Sequence, residues 1–428
     1  MHDFKYRGRK LCCERLDLAS IAERVGTPFY CYSQKSLLDH FNKLKRAFRS
    51  ISPLICFSMK ANSNLAVLKL LTRQGAGLDV VSGGELYKAR RVGVPARRIV
   101  YASVGKTEAE IVYALKEDIL LFNVESVPEL ELIQRLARRL KKRPRVSVRL
   151  NVEVDPRTHR YIATGVSTSK FGLDLKSARG LFLNSRHYVP AELVGVHIHI
   201  GSQITSGSPY AQALRRVASF VKDLKKRGVH IPWLNVGGGL GIIYHDERPQ
   251  TAHAFARRVL PLLKTLPARL IMEPGRFIAG PSGVLVTRVT TVKKTPRKTF
   301  IIVDGGMSDL LRPSLYGAYH SIWPVRRSSN GPRVECDVVG PICESGDFLA
   351  RDRKLALPGS GDLLSVLGAG AYGFVMASNY NSRPRPPEVL VNGSRMYVVR
   401  RRETYRDLVR GESIPAYLRE AGSGKREA

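Results

Sequence analysis

Short apolar runs rich in β-branched residues recur along the first two thirds of the chain and predict eight strands. They span residues 54–59, 78–82, 99–103, 119–124, 145–150, 193–200, 233–239 and 269–274. Between many of them, segments such as SNLAVLKLLTRQG and VPELELIQRLARRLKK carry apolar residues at three- and four-residue spacing, which is typical of helices. A strand and a helix in alternation, repeated eight times, predict a (β/α)8 barrel of the TIM type. Periodicity alone leaves an open doubly wound sheet as the alternative.

The pattern changes after Pro274. Glycine and proline become frequent, and β-rich runs such as GVLVTRVTTVKK and TFIIVD follow one another without clear long helices between them. This pattern predicts a C-terminal antiparallel β-domain with a boundary near residue 280. The segment GTPFYCYS, residues 26–33, predicts a leading strand that joins it. The expected domains are therefore a barrel over 35–280 and a β-domain built from 1–34 and 281–428.

Length and composition are those of a globular protein. The chain has 428 residues, of which 43% are apolar, and this is ample material for two domains. The first twenty residues contain no apolar core of signal-peptide length, and no run is long enough to cross a bilayer, so we expect a cytoplasmic protein. The six cysteines lack paired CxxC spacing, which predicts reduced thiols and neither a disulfide framework nor a metal site.

The charge balance is strongly basic. Lysine and arginine number 70 against 36 acidic residues, a net charge of +34, and such an excess is often found in proteins that bind nucleic acids or membranes. Here the basic runs at 138–145, 351–354 and 400–402 are spread along the chain without an accompanying nucleic-acid-binding motif. The distribution favours a solvated surface, and we expect no specific nucleic-acid partner and no membrane.

Polar residues and glycines follow several of the predicted strands. Lys60 follows the first strand, His199 lies at the end of the sixth, Gly237–Gly239 lie at the end of the seventh and Glu273 lies at the end of the eighth. A lysine at this position is also common on surfaces, a glycine run alone also marks a tight turn, and a histidine in a strand can be a core residue. In (β/α)8 barrels, however, the chemistry lies at the C-terminal ends of the strands, and the shared location favours an active site.

The chemistry that fits these residue types is that of pyridoxal 5'-phosphate. A lysine in an apolar pocket is partly desolvated, which we expect to lower its pKa so that the amine can condense with the cofactor aldehyde. Backbone N–H groups of glycines and the hydroxyl of Ser202 suit a phosphate. The carboxylate of Glu273 can keep the pyridine nitrogen protonated, which makes the ring an electron sink. The imidazole of His199 can lie against the ring.

Seven segments carry a resemblance to a known family. Five of them, FSMKAN (57–62), HIHIGSQI (197–204), NVGGGLGI (235–242), EPGRFIAGPSG (273–283) and GPICESGDFLARD (340–352), resemble the fold-type III decarboxylases, with their alanine racemase-like fold. That family includes the ornithine, arginine and diaminopimelate decarboxylases. The other two, DPRTHRYIATGVSTSKFGLD (155–174) and DGGMSDLLRPSLYGAYH (304–320), resemble the diaminopimelate branch. The segments occur in the family's order and span most of the chain.

The resemblance implies roles for individual residues. Lys60 matches the lysine that binds the cofactor covalently. The other implied cofactor-binding residues are His199, Ser202, Gly237, Gly238, Gly239, Glu273, Pro274, Gly275, Arg276 and Tyr372. The implied substrate-binding residues are Arg276, Arg312, Tyr316, Glu344 and Tyr372. Cys343 matches the proton donor, and in the family Cys343 and Glu344 enter the site from the partner subunit, which implies a homodimer with shared active sites.

The implied activity is decarboxylation of meso-2,6-diaminopimelate to L-lysine and CO2, the last step of lysine biosynthesis. The alternatives are a related decarboxylase that acts on ornithine, arginine or carboxynorspermidine, a racemase of the same barrel class, and a non-catalytic basic binding protein. At the residue level, Cys343 can also be a buried structural thiol, and Arg312 can instead pair with Asp309. Asp79 and Glu85 follow the second strand and have no role that the sequence assigns.

Overall fold

The chain begins with a small sheet that the sequence pattern did not predict. The computed structural model describes residues 3–155, 170–327 and 333–419, so most of the segment 155–174 lies outside the described residues. The first elements are β1 (Phe4–Arg7), β2 (Lys10–Cys13), β3 (Leu16–Asp17), α1 (Leu18–Val25), β4 (Phe29–Ser33) and α2 (Gln34–Ala47). Strands β1 to β3 pair with one another in an antiparallel sheet.

Parallel strands close into a barrel over the middle of the chain. Within the described ranges its eight strands are β5 (Leu54–Ser58), β6 (Gly77–Val80), β7 (Ile99–Tyr101), β8 (Leu121–Val124), β9 (Arg145–Arg149), β10 (Glu192–His197), β11 (Trp233–Asn235) and β12 (Arg269–Met272). The helices that alternate with them are α3 (Leu65–Arg73), α4 (Gly83–Arg91), α5 (Glu108–Glu117), α6 (Val127–Leu140), α7 (Leu175–Leu183), α8 (Ser208–Lys226) and α9 (Ala252–Leu263). Each strand coincides with a predicted run, so the barrel is confirmed and the open sheet is excluded.

Local sequence explains why these helices form where they do. Thr107 begins α5 with a capping box, in which its hydroxyl accepts from the N–H of Glu110 and the Glu110 carboxylate accepts from the N–H of Thr107. Such a cap stabilises a helix by about 1 kcal/mol. Helix α6 begins after Ser126 and buries residues at three- and four-residue spacing, from Leu130 to Ala137. Each helix therefore presents one apolar face to the barrel.

A second sheet follows the barrel. Its strands are β13 (Gly283–Lys294), β14 (Thr299–Val303), β15 (Ile322–Pro324), β16 (Arg333–Val339), β17 (Phe348–Ala356), β18 (Leu363–Val366), β19 (Glu388–Asn392) and β20 (Arg395–Arg400). The short helices α10 (Arg276–Ala279), α11 (Arg312–Tyr316) and α12 (Tyr405–Leu408) accompany them. Strand β4 lies between β13 and β19 in this sheet. Among the described helices, none is both long and apolar enough to cross a membrane.

The second sheet is mixed and not wholly antiparallel. Most of its neighbouring strands run antiparallel, but β4 pairs in parallel with β19, and β14 pairs in parallel with β16. The whole barrel separates β4 from β19 along the chain, so no hairpin sets their relative direction. The antiparallel expectation rested on local runs, and local runs carry no information about such distant pairings.

Buried polar contacts join the second sheet to the first loop of the barrel. The carboxylate of Glu388 accepts hydrogen bonds from the Tyr32 hydroxyl at 2.7 Å and from the Asn64 amide at 2.9 Å. The side chain of Asn62 donates to the Gly370 carbonyl at 3.1 Å. These bonds fix the loop that follows β5, and this loop carries Lys60.

Candidate active site

A cavity of about 740 Å³ opens at the C-terminal ends of the barrel strands. This size is typical of a small-molecule site. The cavity brings together residues of the barrel and residues from the segments that connect strands of the second sheet. Eight of the predicted site residues line it: Lys60, His199, Ser202, Glu273, Arg276, Arg312, Tyr316 and Tyr372. Residues that lie far apart in the sequence therefore share one cavity.

Lys60 lies beside a buried carboxylate. Strand β5 ends at Ser58, and the short turn that follows brings Lys60 to the cavity wall with its Nζ 3.6 Å from Asp79 Oδ2. Burial is the largest single effect and lowers the pKa of Lys60, but Asp79, Tyr372 and Glu273 together outweigh it, so the pKa lies above its ordinary value. The expectation of a lowered pKa is wrong for the protein without cofactor, because the sequence did not reveal the paired carboxylate.

The structure places Asp79, to which the sequence assigned no role, beside Lys60. Its Oδ2 accepts a hydrogen bond from the Ser58 hydroxyl at 2.6 Å. Burial and the nearby Glu273 raise the pKa of Asp79, while Lys60 acts in the opposite direction. Asp79 forms the ion pair with Lys60 and favours the protonated form of the amine.

Glu273 lies just after β12 and is held by several polar neighbours. Its Oε1 accepts from the side-chain amides of Asn235 at 2.6 Å and Asn123 at 3.3 Å. Its Oε2 lies 3.4 Å from His197 Nε2. Burial alone raises the pKa of this carboxyl group, but His197, Lys60 and Asn235 outweigh it and lower the pKa to about 2. The carboxylate is therefore ionised, as a partner of a protonated pyridine nitrogen must be.

The glycine run after β11 forms a turn that has no room for side chains. A Cβ at Gly238 would lie 2.0 Å from the Glu273 carbonyl oxygen, and one at Gly239 would lie 2.2 Å from the Gly201 carbonyl oxygen. The φ angles of +66° at Gly237 and +103° at Gly239 also favour glycine. The turn therefore lets the backbone lie close to β12 and to the loop after β10, where a larger residue would push these elements apart.

Not all of the N–H groups in this turn are available to a phosphate. The Gly237 N–H donates to Asn235 Oδ1 at 3.0 Å, and the Gly238 N–H donates to His199 Nδ1 at 3.2 Å. Burial, followed by the charge of Lys60, holds the pKa of His199 well below its ordinary value, so the imidazole is neutral. The side chains of Ser202 and Arg276 reach the same cavity and carry further hydrogen-bond donors.

The turn after β12 connects two walls of the cavity. The Ser58 N–H donates to the Pro274 carbonyl at 3.2 Å, and a Cβ at Gly275 would lie 2.9 Å from the Ala61 side chain. The guanidinium of Arg276 donates through Nε and Nη2 to the Ser202 hydroxyl at 3.3 and 3.1 Å. Pro274, Gly275 and Arg276 thus fix the distance between the loop that bears Lys60 and the loop that bears Ser202.

Tyr372 reaches the same cavity from the second sheet. Its backbone has a φ of +56°, and its N–H donates to the Ala61 carbonyl at 2.8 Å. The guanidinium of Arg276 lies 4.7 Å from the centre of its ring. This loop-to-loop contact places a phenol next to the turn that carries Lys60.

Arg312 begins α11 and is buried in the cavity wall. Its Nη1 lies 2.8 Å from His320 Nε2, and its guanidinium lies 4.4 Å from the ring centre of Tyr244. It does not pair with Asp309, whose carboxylate accepts from the Gly306 N–H at 2.9 Å, so that alternative is wrong. Over residues 3–155, 170–327 and 333–419, no carboxylate forms an ion pair with Arg276 or Arg312, and their charges suit an incoming carboxylate.

Cys343 and Glu344 do not line this cavity in the single chain. Cys343 is an exposed free thiol, so the alternative of a buried structural cysteine is wrong. Its N–H donates to Asn381 Oδ1 at 2.9 Å. The carboxylate of Asp347 accepts from the N–H groups of Met307 and Ile342, both at 2.6 Å. The loop that carries Cys343 is therefore anchored at its base and presents the thiol outward.

Replacement of Asp347 by alanine tests this anchor. The change leaves the N–H groups of Met307 and Ile342 without their acceptor, and each unsatisfied group lowers the free energy of unfolding by about 1–3 kcal/mol. We expect kcat to fall while the affinity for pyridoxal phosphate, measured by absorbance titration, stays unchanged. The exposed Asp362 gives a matched control, because its carboxylate also accepts from a backbone N–H, that of Gly359 at 2.7 Å, but not from this loop. Loss of cofactor affinity with normal kcat in Asp347→Ala would contradict the anchoring role.

Several residues at the site were missed by the sequence reasoning. Asn123 and Asn235 are polar residues within apolar strand runs, and this was the available signal for them. Arg149 ends β9 and donates to Glu125 at 2.7 Å, which places it on the same rim. Tyr244 and His320 lie in loops, where no periodicity marks a side chain that points inward.

Comparisons with known proteins agree with this geometry. A family model described as a pyridoxal-dependent decarboxylase, pyridoxal binding domain, matches residues 34–280. The chain is 46% identical over 402 residues to the diaminopimelate decarboxylase of Aquifex aeolicus, an alignment that covers 94% of this chain and 95% of that protein. The chain belongs to the diaminopimelate decarboxylase family of pyridoxal-dependent enzymes.

Solved structures of the family are similar to this one. The diaminopimelate decarboxylase from Helicobacter pylori complexed with L-lysine matches with a TM-score of 0.89 at 41% identity and covers 92% of this chain and 98% of its own. The enzyme from M. jannaschii in co-complex with L-lysine matches with a TM-score of 0.92 at 36% identity, over 97% of this chain and 98% of its own. The barrel with an additional sheet is thus the fold of this family.

Proposed function

We propose that this chain decarboxylates meso-2,6-diaminopimelate to L-lysine and CO2 with pyridoxal 5'-phosphate, the last step of lysine biosynthesis. One observation carries the proposal. The cavity that holds Lys60 and Glu273 also holds two arginines that pair with no carboxylate in the described parts of the chain. A cofactor site and a site for a second carboxylate therefore lie in one cavity. The names of the similar proteins, two of them with L-lysine bound, support the same activity.

The described residues fit the cofactor. Lys60 would hold it covalently, Glu273 would pair with the pyridine nitrogen, and His199 would lie along the ring. The phosphate would be held by the glycine turn at 237–239 with Ser202 and Arg276. When bound, pyridoxal phosphate withdraws electrons from the bond that breaks. The tight turn at Gly238, where a Cβ would collide with the Glu273 carbonyl oxygen, holds the glycine turn directly beside Glu273.

The residues of the chain have separate tasks with the substrate. Arg312 and Arg276 bind the carboxylate at the end that does not react, and Tyr316 and Tyr372 line the path between the two ends. Asp79 holds the Lys60 side chain in place through their contact. Glu344 from a second copy of the chain binds the distal ammonium. Cys343 from that copy donates a proton to the carbon that lost its carboxylate.

The proposal thus includes a homodimer with shared sites, and subunit mixing tests it. Lys60→Ala and Cys343→Ala chains are each expected to be inactive. In an equal mixture, half of the dimers combine the two chains, and each such dimer has one intact site of two. Activity should recover to about a quarter of the wild-type value. Proven subunit exchange without recovery would contradict shared sites.

The proposal extends to the domain boundaries, the location of the protein and its basic surface. We propose domains over 35–280 and over 1–34 with 281–428, since β4 joins the second sheet. We propose a cytoplasmic location, for which the six free cysteines give support. The dispersed basic residues are proposed to be solvated, with no specific nucleic-acid partner.

A direct experiment tests the cofactor site and the reaction. Purified protein with pyridoxal phosphate should absorb in the near-visible, and borohydride should remove this band and fix the cofactor on the peptide that contains Lys60. Incubation with meso-diaminopimelate should release CO2 and L-lysine in equal amounts. A mass-spectrometric adduct on a different lysine, such as the buried Lys106, would contradict the site assignment, and absence of L-lysine would contradict the reaction.

A further inference from the structure

A buried histidine contacts Arg312 in the wall of the cavity. His320 has no exposed surface, and it is not among the residues that line the cavity. Its Nε2 lies 2.8 Å from Arg312 Nη1, and its Nδ1 lies 2.7 Å from the Leu367 carbonyl oxygen. The imidazole therefore bridges the guanidinium and the backbone of the second sheet.

These two contacts determine which nitrogen of His320 carries the proton. A carbonyl oxygen only accepts hydrogen bonds, so Nδ1 must be the donor to Leu367. A guanidinium only donates, so Nε2 must be the unprotonated acceptor for Arg312. The ring is thus neutral and in a single tautomer. Burial, and then the charge of Arg312 with smaller effects of Arg276 and Arg353, lowers the pKa of His320 to about 3.

A neutral acceptor has a different effect on Arg312 from that of a carboxylate. An aspartate or glutamate at this position would fix the guanidinium but would also neutralise its charge. His320 fixes the guanidinium and leaves the charge uncompensated. Burial, and to a smaller extent the charge of Arg276, disfavour the charged form of Arg312 and lower its pKa, while Tyr244 acts in the opposite direction. An incoming carboxylate relieves this unfavourable charge.

Tyr244 fixes the other side of the same arginine. Its ring centre lies 4.4 Å from the Arg312 guanidinium and 5.1 Å from the His320 ring. Its hydroxyl accepts a hydrogen bond from Arg276 Nη1 at 2.7 Å. A Cβ at Gly368, where φ is +69°, would lie 3.2 Å from the Tyr244 ring. Neutral groups thus hold both arginines in place.

We propose that His320 is a positioning residue for substrate selection. It accepts a hydrogen bond from Arg312 and holds the Arg312 guanidinium toward the cavity, with the charge of the guanidinium uncompensated. The guanidinium then binds the carboxylate at the unreactive end of the substrate. This inference rests on the proposed function. It assigns the preference for a substrate with a distal carboxylate to a residue that does not line the cavity.

Two substitutions separate positioning from a merely structural role. His320→Asn keeps an amide N–H near the position of Nδ1 and loses the acceptor for Arg312. His320→Gln keeps an oxygen that reaches Arg312. A hydrogen bond to a charged group contributes about 1.5–3 kcal/mol, so His320→Asn should raise the KM for meso-diaminopimelate roughly tenfold to a hundredfold with little change in kcat. His320→Gln should restore most of this loss.

A binding measurement complements the kinetics. L-Lysine carries one carboxylate and cadaverine carries none, so their inhibition constants report the contribution of the carboxylate. His320→Asn should weaken inhibition by L-lysine and leave inhibition by cadaverine unchanged. The absorbance of the bound cofactor should not change. His40 provides a matched control, because it is buried and its Nδ1 lies 2.8 Å from the Ser36 carbonyl, but its ring packs against Phe277 and not against Arg312.

Each outcome decides the inference. Equal losses in His320→Asn and His320→Gln, or an unchanged ratio of lysine to cadaverine inhibition in His320→Asn, would overturn the positioning role. If His320→Asn does not fold, His320→Leu against His320→Gln gives the same comparison. If wild-type protein does not decarboxylate meso-diaminopimelate, the proposed function fails, while the dissociation constants of L-lysine and cadaverine, measured by calorimetry in wild type and His320→Asn, still test His320 by itself.

Discussion

Replacement of Lys60 by alanine is expected to abolish decarboxylation, with a fall in kcat of at least about a thousandfold. The variant loses the amine that binds the cofactor, and the nearby Asp79 keeps no cationic partner at its 3.6 Å contact. The measurement is CO2 release from meso-diaminopimelate at saturating pyridoxal phosphate.

Two further variants make this test specific. Lys60→Arg keeps a positive charge beside Asp79 but cannot bind the cofactor covalently, so it should be as inactive as Lys60→Ala. Lys88 donates to the Ser63 hydroxyl at 3.0 Å, close to the same loop, but does not line the cavity. Lys88→Ala should therefore retain turnover. Substantial activity in Lys60→Ala would disprove the assignment of Lys60.

Replacement of Arg312 by alanine is expected to weaken the use of meso-diaminopimelate. Loss of one partner of a desolvated charge pair costs about 2–5 kcal/mol, which corresponds to a fall in kcat/KM of roughly 30-fold to several thousandfold. Arg312→Lys should recover little, because a single ammonium cannot reproduce the two-pronged contact of a guanidinium with a carboxylate. Cofactor affinity, measured in parallel, should be unchanged.

The exposed Arg395 gives the control for this prediction. Arg395→Ala removes the same charge from the chain at a position outside the cavity and should leave kcat/KM unchanged. An Arg312→Ala variant with the wild-type preference among amino acids would contradict the role of Arg312 in recognition of the distal carboxylate.

The barrel could be predicted from the sequence because its signals are local. A strand of four or five apolar residues and a helix with one apolar face can each be recognised within a short window. The location of Lys60 and Glu273 then followed from a rule of the fold, because the carboxyl ends of all parallel strands meet at one rim. The segments that resemble the family added expected roles for Arg312 and Tyr372, which lie outside the barrel strands.

What the sequence did not reveal depends on contacts between distant parts of the chain. The raised pKa of Lys60 comes from Asp79, which belongs to the next strand. The parallel pairing of β4 with β19 joins elements at opposite ends of the chain. His320 was part of a recognised segment, but its contact with Arg312 requires a turn that periodicity does not describe. The roles of Cys343 and Glu344 stay predictions, because they concern a second copy of the chain.

The central claim is that this cavity selects an amino acid with a second carboxylate. The most direct test is the ratio of kcat/KM for meso-diaminopimelate to kcat/KM for ornithine, with the wild-type protein and saturating pyridoxal phosphate. Ornithine has no distal carboxylate and offers Arg312 no partner, so we expect a ratio of at least about a thousand. A ratio near or below one would contradict the proposed substrate, even with the cofactor bound to Lys60.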